Sequence, residues 1–113
     1  MARTQWLHRP AAGSRYFAVI FVSERSDDQA GYAEMDERLL ALAHEQPGFL
    51  GYSSAGDEQG GIFISYWASR EAIDSWRKHA LHGEAKGQAT RWYRYYHSLI
   101  TEVVHHREHE EDS

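Results

Sequence analysis

The sequence predicts an α+β domain with the ferredoxin-like order βαββαβ, in which four antiparallel strands carry both helices on one face. Three observations lead to this prediction. The 113 residues suit a single domain. Four runs rich in aromatic and β-branched residues have the length and composition of strands. Two stretches between these runs place apolar residues at the spacing of a helix.

The first strand and first helix follow from residues 16–46. The run YFAVIFV is apolar throughout and too short for a helix, so it predicts a strand near 16–24 that is buried on both faces. Asp27 or Asp28 can cap a helix near 28–46, because a carboxylate accepts hydrogen bonds from the first free backbone N–H groups. Pro47 ends the helix, since it disfavours helical backbone in the residue before it. The apolar face of this helix would consist of Tyr32, Met35, Leu39, Leu42 and Ala43.

A hairpin follows, with strands predicted near 49–55 and 61–67. The segment GDEQGG between FLGYSS and GIFISYW is polar, rich in glycine and of the right length for a hairpin loop. It lacks the glycine pattern of a phosphate-binding loop, so it is interpreted as a turn rather than a nucleotide site. The sequence therefore predicts no bound cofactor.

Ser69 is the predicted N-cap of a second helix near 69–79. Two glycines weaken the following residues 80–90, which are predicted as a broken or second short helical piece. The segment RWYRYYHSLITEVV predicts a long final strand over 91–104, because Tyr, Ile, Thr and Val dominate it. The buried face of the second helix would consist of Ala72, Ile73, Trp76 and Ala80.

The chain is predicted to divide into three parts. Residues 16–104 form the single α+β domain. Residues 1–15 are polar, contain Pro and Gly, and are interpreted as a flexible N-terminal arm. Residues 105–113, with the sequence HHREHEEDS, are interpreted as a polar disordered tail.

Composition excludes several classes of function. The net charge of −5 argues against a nucleic-acid partner, even though Arg91 and Arg94 alternate with tyrosines as in some single-strand binders. No apolar run approaches the length of a membrane span, so no membrane association is expected. The absence of cysteine excludes thiolate metal sites and fits a cytoplasmic location, and no secretory signal is visible.

Several short motifs resemble the antibiotic biosynthesis monooxygenase family, a branch of the dimeric α+β barrel superfamily. They are QPGFLG at 46–51, SYW at 65–67, EAIDSW at 71–76, His82, and WYRYY at 92–96. The resemblance runs from about residue 16 to 104. It implies a homodimer whose two sheets close into one barrel, with a pocket between sheet and helices in each protomer. The family includes cofactor-free quinone-forming monooxygenases and haem-degrading enzymes.

Two departures from the family pattern bear on the haem-degrading branch. That branch uses an Asn on the first strand, and this chain contains no Asn. Trp76 matches the branch's helix Trp, but Lys86 stands ten residues later, where the axial His is expected. Haem degradation by that mechanism is therefore not predicted.

Four residues are candidates for catalysis: His82, His79, Tyr66 and Arg91. The two histidines lie three residues apart, so a helix would place them on one face as a base and its orienting partner. Tyr66 and Arg91 would polarise the oxygens of a substrate. The alternative is that at least one histidine is an ordinary surface residue. No metal site is predicted.

Four aromatic residues are candidates for binding a planar substrate by stacking: Trp67, Trp76, Trp92 and Tyr93. Ordinary core packing is the alternative for any one of them. Only one of Tyr66 and Trp67 can face the pocket, because neighbours in a strand point to opposite faces.

The sequence thus predicts a cofactor-independent monooxygenase that acts on a small aromatic or quinol-like substrate. The alternative is a non-catalytic dimer that binds a small hydrophobic molecule, with haem as one possibility. In either case the predicted partner is a second copy of the chain. Val19, Phe21, Phe63 and Leu99 are predicted to face that copy.

Overall fold

The computed structural model describes residues 3–111, with all side chains in that range except those of residues 80–82. It contains a five-stranded antiparallel sheet of strand order β1-β3-β4-β2-β5 and three helices. The predicted α+β, ferredoxin-like fold class is confirmed. The elements are β1 (Gln5–Trp6), β2 (Tyr16–Arg25), α1 (Tyr32–Ala43), β3 (Phe49–Asp57), β4 (Gly60–Trp67), α2 (Arg70–Arg77), α3 (Ala80–Trp92) and β5 (Tyr93–Val103).

The fifth strand, β1, was not predicted. It lies in the segment interpreted as a flexible arm, and its two residues pair with Tyr52 and Gly51 of β3. Gly51 permits this close approach, because a Cβ atom there would lie 2.4 Å from the backbone oxygen of Gln5. A strand of two residues is too short to show an alternation of apolar and polar side chains in the sequence. It is recognised only by its pairing with β3.

The helices and the last strand differ from the predicted bounds, and α1 also ends earlier, at Ala43 instead of near residue 46. α1 begins at Tyr32 instead of near residue 28, after Gly31 in a left-handed conformation with φ of 80°. α3 is one continuous helix rather than a broken piece, and a Cβ at either of its glycines would meet open space. The last strand begins at Tyr93, because Arg91 and Trp92 complete α3. None of the described helices is long and apolar enough to cross a membrane.

The two faces of the sheet have different surroundings. One face packs against the helices around a core of Ala43, Phe49, Trp67 and Ile73, which are all buried. On the other face, Ile62, Tyr95 and Leu99 are each about half exposed. Because strand neighbours alternate, this open face also carries Ile20 and Val22 of β2.

The prediction of which residues lie on the open face was wrong for three of the four residues. Val19 packs against the helix-side core. Phe21 packs on Tyr93 with ring centroids 5.2 Å apart, and Phe63 stacks on Tyr52, itself packed against that core. Only Leu99 lies on the open face, in register with Ile20.

Candidate functional site

Three of the predicted site residues stack into a row on the helix side of the sheet. The ring centroids of Trp67 and Trp76 lie 6.0 Å apart with an interplanar angle of 29°, and those of Trp76 and His79 lie 5.9 Å apart. We call these three residues the aromatic ladder. It leads from the core outward, because Trp67 is fully buried while Trp76 and His79 are half-buried.

The end of β4 and the helix α2 position the aromatic ladder. The ring of Trp67 packs edge-on against Phe49 with centroids 5.2 Å apart, and its Nε1 donates to Ser65 Oγ at 2.9 Å. Ser69 begins α2 by accepting a hydrogen bond from a backbone N–H in the first turn at 3.1 Å. His79 lies in the short connection between α2 and α3. The two tryptophans of the ladder thus lie on β4 and α2, and His79 lies in the connection that follows α2.

Chemically, the ladder offers an apolar stacking surface that ends in an imidazole. Indole rings bind flat aromatic molecules by offset or edge-on stacking. An imidazole nitrogen can accept a proton from a neighbouring molecule and can therefore serve as a general base. A planar ligand stacked at the outer end of the ladder would lie within reach of such a group.

The residues Arg91, Trp92 and Tyr93 lie at the opposite end of the sheet. Trp92 Nε1 donates to the carbonyl oxygen of Ala30 at 2.8 Å. The Arg91 guanidinium donates to the same carbonyl and lies 3.5 Å from the carboxylate of Asp28. These contacts fix the junction of α3 and β5 to the loop before α1. The structure therefore does not bring these three residues together with the aromatic ladder.

Tyr93 is unsuited to act as a base. Its ring packs edge-on against Tyr32, with centroids 5.8 Å apart. Burial, and secondly a hydrogen bond with Tyr32, raises the pKa of Tyr93 far above its ordinary value. Its phenol consequently stays protonated throughout the physiological range.

Tyr66 lies on the open face of the sheet, away from the helices. Its hydroxyl is hydrogen-bonded to Ser53 Oγ at 3.0 Å, and its ring centroid lies 5.0 Å from that of Trp6. Of the neighbouring pair, Trp67 therefore faces the helices and Tyr66 does not. Tyr66 is part of a second aromatic cluster, which includes residues from both ends of the chain.

This second cluster joins the N-terminal arm to the C-terminal tail, and we call it the arm–tail clasp. It consists of Trp6, Arg9, Tyr16, Tyr66, His106 and Glu108. The hydroxyl of Tyr16 is hydrogen-bonded to His106 Nδ1 at 2.7 Å, and the other ring nitrogen of His106 lies 3.5 Å from Glu108. Trp6 Nε1 and the Arg9 guanidinium both donate to the Glu108 carboxylate. Sequence analysis missed the clasp, since its members are separated by up to 102 residues.

The clasp makes stability depend on pH through Glu108. Hydrogen bonds from Trp6, Arg9 and His106 hold the pKa of the Glu108 carboxyl below its ordinary value. A carboxyl whose pKa is lower in the folded state stabilises the fold above its unfolded-state pKa, and this contribution is lost as the pH falls through the folded-state pKa.

We expect Glu108→Gln to lower the free energy of unfolding at pH 7 by about 0.5–1 kcal/mol, a small effect because the clasp is partly exposed to solvent. The difference from the wild type should shrink as the pH falls through the lowered pKa of the Glu108 carboxyl, because protonation removes the charge that the variant lacks. Thermal melting of both proteins from pH 3 to 7 measures this. A difference that is independent of pH would contradict the role of the carboxylate, and Glu111→Gln in the same tail serves as the control.

The remaining candidate, His82, has a side chain that lies outside the described residues, and its backbone belongs to α3. A groove of about 230 Å³ lies on the outer side of α2. We call it the basic groove; its lining residues are Asp74, Arg77, Lys78 and Lys86. Within the described part of the chain, no three His, Asp or Glu side chains are placed to hold a metal ion.

The sequence profile of the antibiotic biosynthesis monooxygenase family matches residues 15–88. The chain is also 44% identical over 94 residues to the uncharacterized protein YqjZ of Bacillus subtilis. That alignment covers 81% of this chain and 82% of the relative.

Solved structures share the fold at low sequence identity. A protein of unknown function from Nitrosomonas europaea superposes with a TM-score of 0.68 at 11% identity, covering 88% of this chain and 100% of that one. SnoaB, a cofactor-independent oxygenase from Streptomyces nogalater, superposes with a TM-score of 0.62 at 13% identity. That match covers 87% of this chain and 99% of SnoaB. At these identities the similarity concerns the fold alone.

Proposed function

The chain belongs to the antibiotic biosynthesis monooxygenase family, and on that premise we propose that it oxygenates a small aromatic or quinol-like substrate without a cofactor. The observation that carries this proposal is the aromatic ladder, which presents a half-buried imidazole beside stacked indole rings. The similarity of the fold to a cofactor-independent oxygenase agrees with it.

The proposed reaction needs only a base and an apolar site from the protein. His79 or His82 removes a proton from an activated CH₂ group of the substrate, and the resulting carbanion transfers an electron to O₂. Recombination forms a peroxide, which loses water to leave a carbonyl. One CH₂ group and one O₂ thus give one C=O group and one H₂O. A site that excludes water favours this course, because a carbanion there is not simply reprotonated.

The roles predicted for Tyr66 and Arg91 would require a substrate at their own positions. Tyr66 lies on the open face, and Arg91 is engaged with Ala30 and Asp28 at the far end of the sheet. The proposed site therefore uses Trp76 for stacking, with Trp67 behind it as support, and one of the two histidines as the base.

Oxygen consumption with anthrones, whose central ring carries an activated CH₂ group, tests the proposed function. We expect consumption above the rate of autoxidation, with one carbonyl formed per O₂ when an anthrone is the substrate. A titration with haem, followed by the shift of its Soret band, runs in parallel. Binding of either ligand class without oxygen consumption would contradict an oxygenase and favour the non-catalytic binding dimer.

We further propose that the protein is a homodimer that pairs the open faces of two sheets. Ile62, Tyr95 and Leu99 on this face are 46%, 50% and 46% exposed in the single chain. Such an exposed group of large apolar side chains is typical of a protein–protein contact. Stable pairs bury at least about 1,200 Å² in total.

We expect light scattering of the wild type to give twice the chain mass of 13.1 kDa at micromolar concentration. Leu99→Glu should shift the protein to the monomer mass, because it places a charge within the apolar patch that the two sheets would share. Val104→Glu is the matched control: this valine is 88% exposed and lies beyond the end of β5. A monomeric wild type, or a dimer unaffected by Leu99→Glu, would contradict this arrangement.

A further inference from the structure

We infer that Gly48 positions the aromatic ladder through its contact with Ala72 of α2. This contact sets how closely α2 approaches the turn before β3, and thereby how closely Trp76 lies to Trp67. The inference rests on the proposed function, because it names a positioning residue for the stacking surface of that site. Its spectroscopic test requires no substrate.

Gly48 lies in the turn between α1 and β3, where the structure leaves no room for a side chain. Its φ is 85°, in the left-handed region that favours glycine. A Cβ atom at this position would lie 2.7 Å from the Cβ of Ala72, well inside the contact distance of two carbon atoms. The backbone of the turn and the methyl group of Ala72 are therefore in close contact.

A hydrogen bond also joins the turn to the start of α2. The Ala68 backbone N–H donates to the carbonyl oxygen of Gly48 at 2.7 Å, and the next residue, Ser69, is the N-cap of α2. Beside the contact with Ala72, the turn and α2 border a groove of about 310 Å³, so the two elements are not packed closely along their whole length. The Gly48–Ala72 contact and this hydrogen bond thus fix their spacing.

One tryptophan of the ladder is tied to each side of this contact. Phe49 follows Gly48 directly, and it pairs with Trp67 and packs edge-on against its ring with centroids 5.2 Å apart. Trp76 lies one helical turn after Ala72, and both pack against the same core. A change in the spacing of the turn and α2 therefore changes the 6.0 Å separation of the two indole rings.

The separation of the indole rings matters for the proposed reaction, because a substrate stacked on Trp76 must lie at a fixed distance from the base. A displacement of about 1 Å can lower the rate of a reaction about 100-fold. Gly48 contacts the first turn of α2, whereas His79 follows the end of this helix. The effect of Gly48 on the reaction is therefore transmitted by the helix.

Far-ultraviolet circular dichroism tests the inference, because two neighbouring indoles give an exciton couplet that depends on their separation and angle. The variant Trp76→Phe identifies the couplet of the ladder by removing it. We expect Gly48→Ala to lower the amplitude of this couplet by at least about half. Adding Ala72→Gly should restore the amplitude, since the methyl group that the new Cβ meets is then absent while the strained φ at residue 48 remains.

Two further variants separate the contact from backbone strain at residue 48. Ala72→Val adds bulk from the helix side, and it should also lower the amplitude because a β-branched side chain has few alternative rotamers. Gly87→Ala is the matched control: a Cβ at this glycine of α3 would meet open space, so the couplet should not change. Thermal melting verifies that each variant is folded, and Ala72→Val decides if Gly48→Ala does not fold.

An unchanged couplet in folded Gly48→Ala, or a loss that Ala72→Gly does not restore, would overturn the inference. With an anthrone as substrate, kcat/KM should follow the couplet: about tenfold lower in Gly48→Ala and restored in the double variant. A weakened couplet with unchanged kcat/KM would overturn the positioning role. A wild type that consumes no oxygen would overturn the oxygenase proposal, while the couplet would still decide whether Gly48 sets the geometry of the ladder.

Discussion

Replacing Trp67 with alanine is expected to lower the free energy of unfolding by about 3–5 kcal/mol, the range measured for large aromatic-to-alanine changes in protein cores. Trp67 is fully buried, contacts Phe49 and Trp76, and satisfies its single N–H group through Ser65. The change would leave a cavity at the centre of the core and remove a hydrogen bond. Since small domains are stable by about 5–15 kcal/mol, this is a large share of the total.

Urea denaturation followed by circular dichroism measures the effect of Trp67→Ala without relying on tryptophan emission. Trp67→Phe should cost less, because it retains most of the ring volume. Trp6→Ala is the matched control: Trp6 is only half-buried in the arm–tail clasp and should cost clearly less. A loss below about 1 kcal/mol for Trp67→Ala would show that the core tolerates the cavity and that Trp67 is not its centre.

Replacing His79 with glutamine is expected to reduce kcat for oxygen consumption by at least about 100-fold, the usual contribution of a general base. Glutamine retains the size and polarity of the side chain but cannot take up a proton. The melting temperature should change little, because His79 is half-buried in a connection between helices. His82→Gln decides between the two candidate bases.

His44→Gln is the matched control for the base. His44 also packs against the aromatic core, with its ring 5.2 Å from that of Phe49, but it lies at the end of α1. Its replacement should leave kcat unchanged. Full activity in both His79→Gln and His82→Gln would contradict histidine catalysis, and an equal loss in His44→Gln would indicate a structural effect.

Much of the fold could be predicted from local patterns, but the faces of the sheet could not. The run from Tyr16 to Val22 has apolar residues at both odd and even positions, so alternation does not show which set faces the helices. The structure places Val19 on the helix side and, by alternation, Ile20 on the open side. The packing of the helices against the sheet decides which side chains of β2 are covered. That packing depends on contacts between residues that are distant in the sequence.

The candidate site was predictable only where its residues are close in sequence. Trp76 and His79 are three residues apart at the end of the predicted second helix, and Trp67 lies shortly before that helix, so the sequence predicts that they lie close together. Arg91 and Trp92 were assigned to a strand because β-prone residues follow them. In the structure their contacts with Ala30 hold them in the last turn of α3. A contact across 61 or 62 residues leaves no trace in local composition.

The arm–tail clasp also has a consequence for the order of folding. Its contact between Trp6 and Glu108 closes a loop of about 100 residues, and the entropy lost on closing a loop grows with its length. The clasp is therefore expected to form after the sheet has brought Tyr16 and Val103 into register. Held by partly exposed polar contacts, it forms a local unit that opens before the core does. The Arg3 guanidinium lies 3.1 Å from the Glu110 carboxylate, so a cross-link between these two residues is expected to hold the arm against the tail and to delay the opening of this unit.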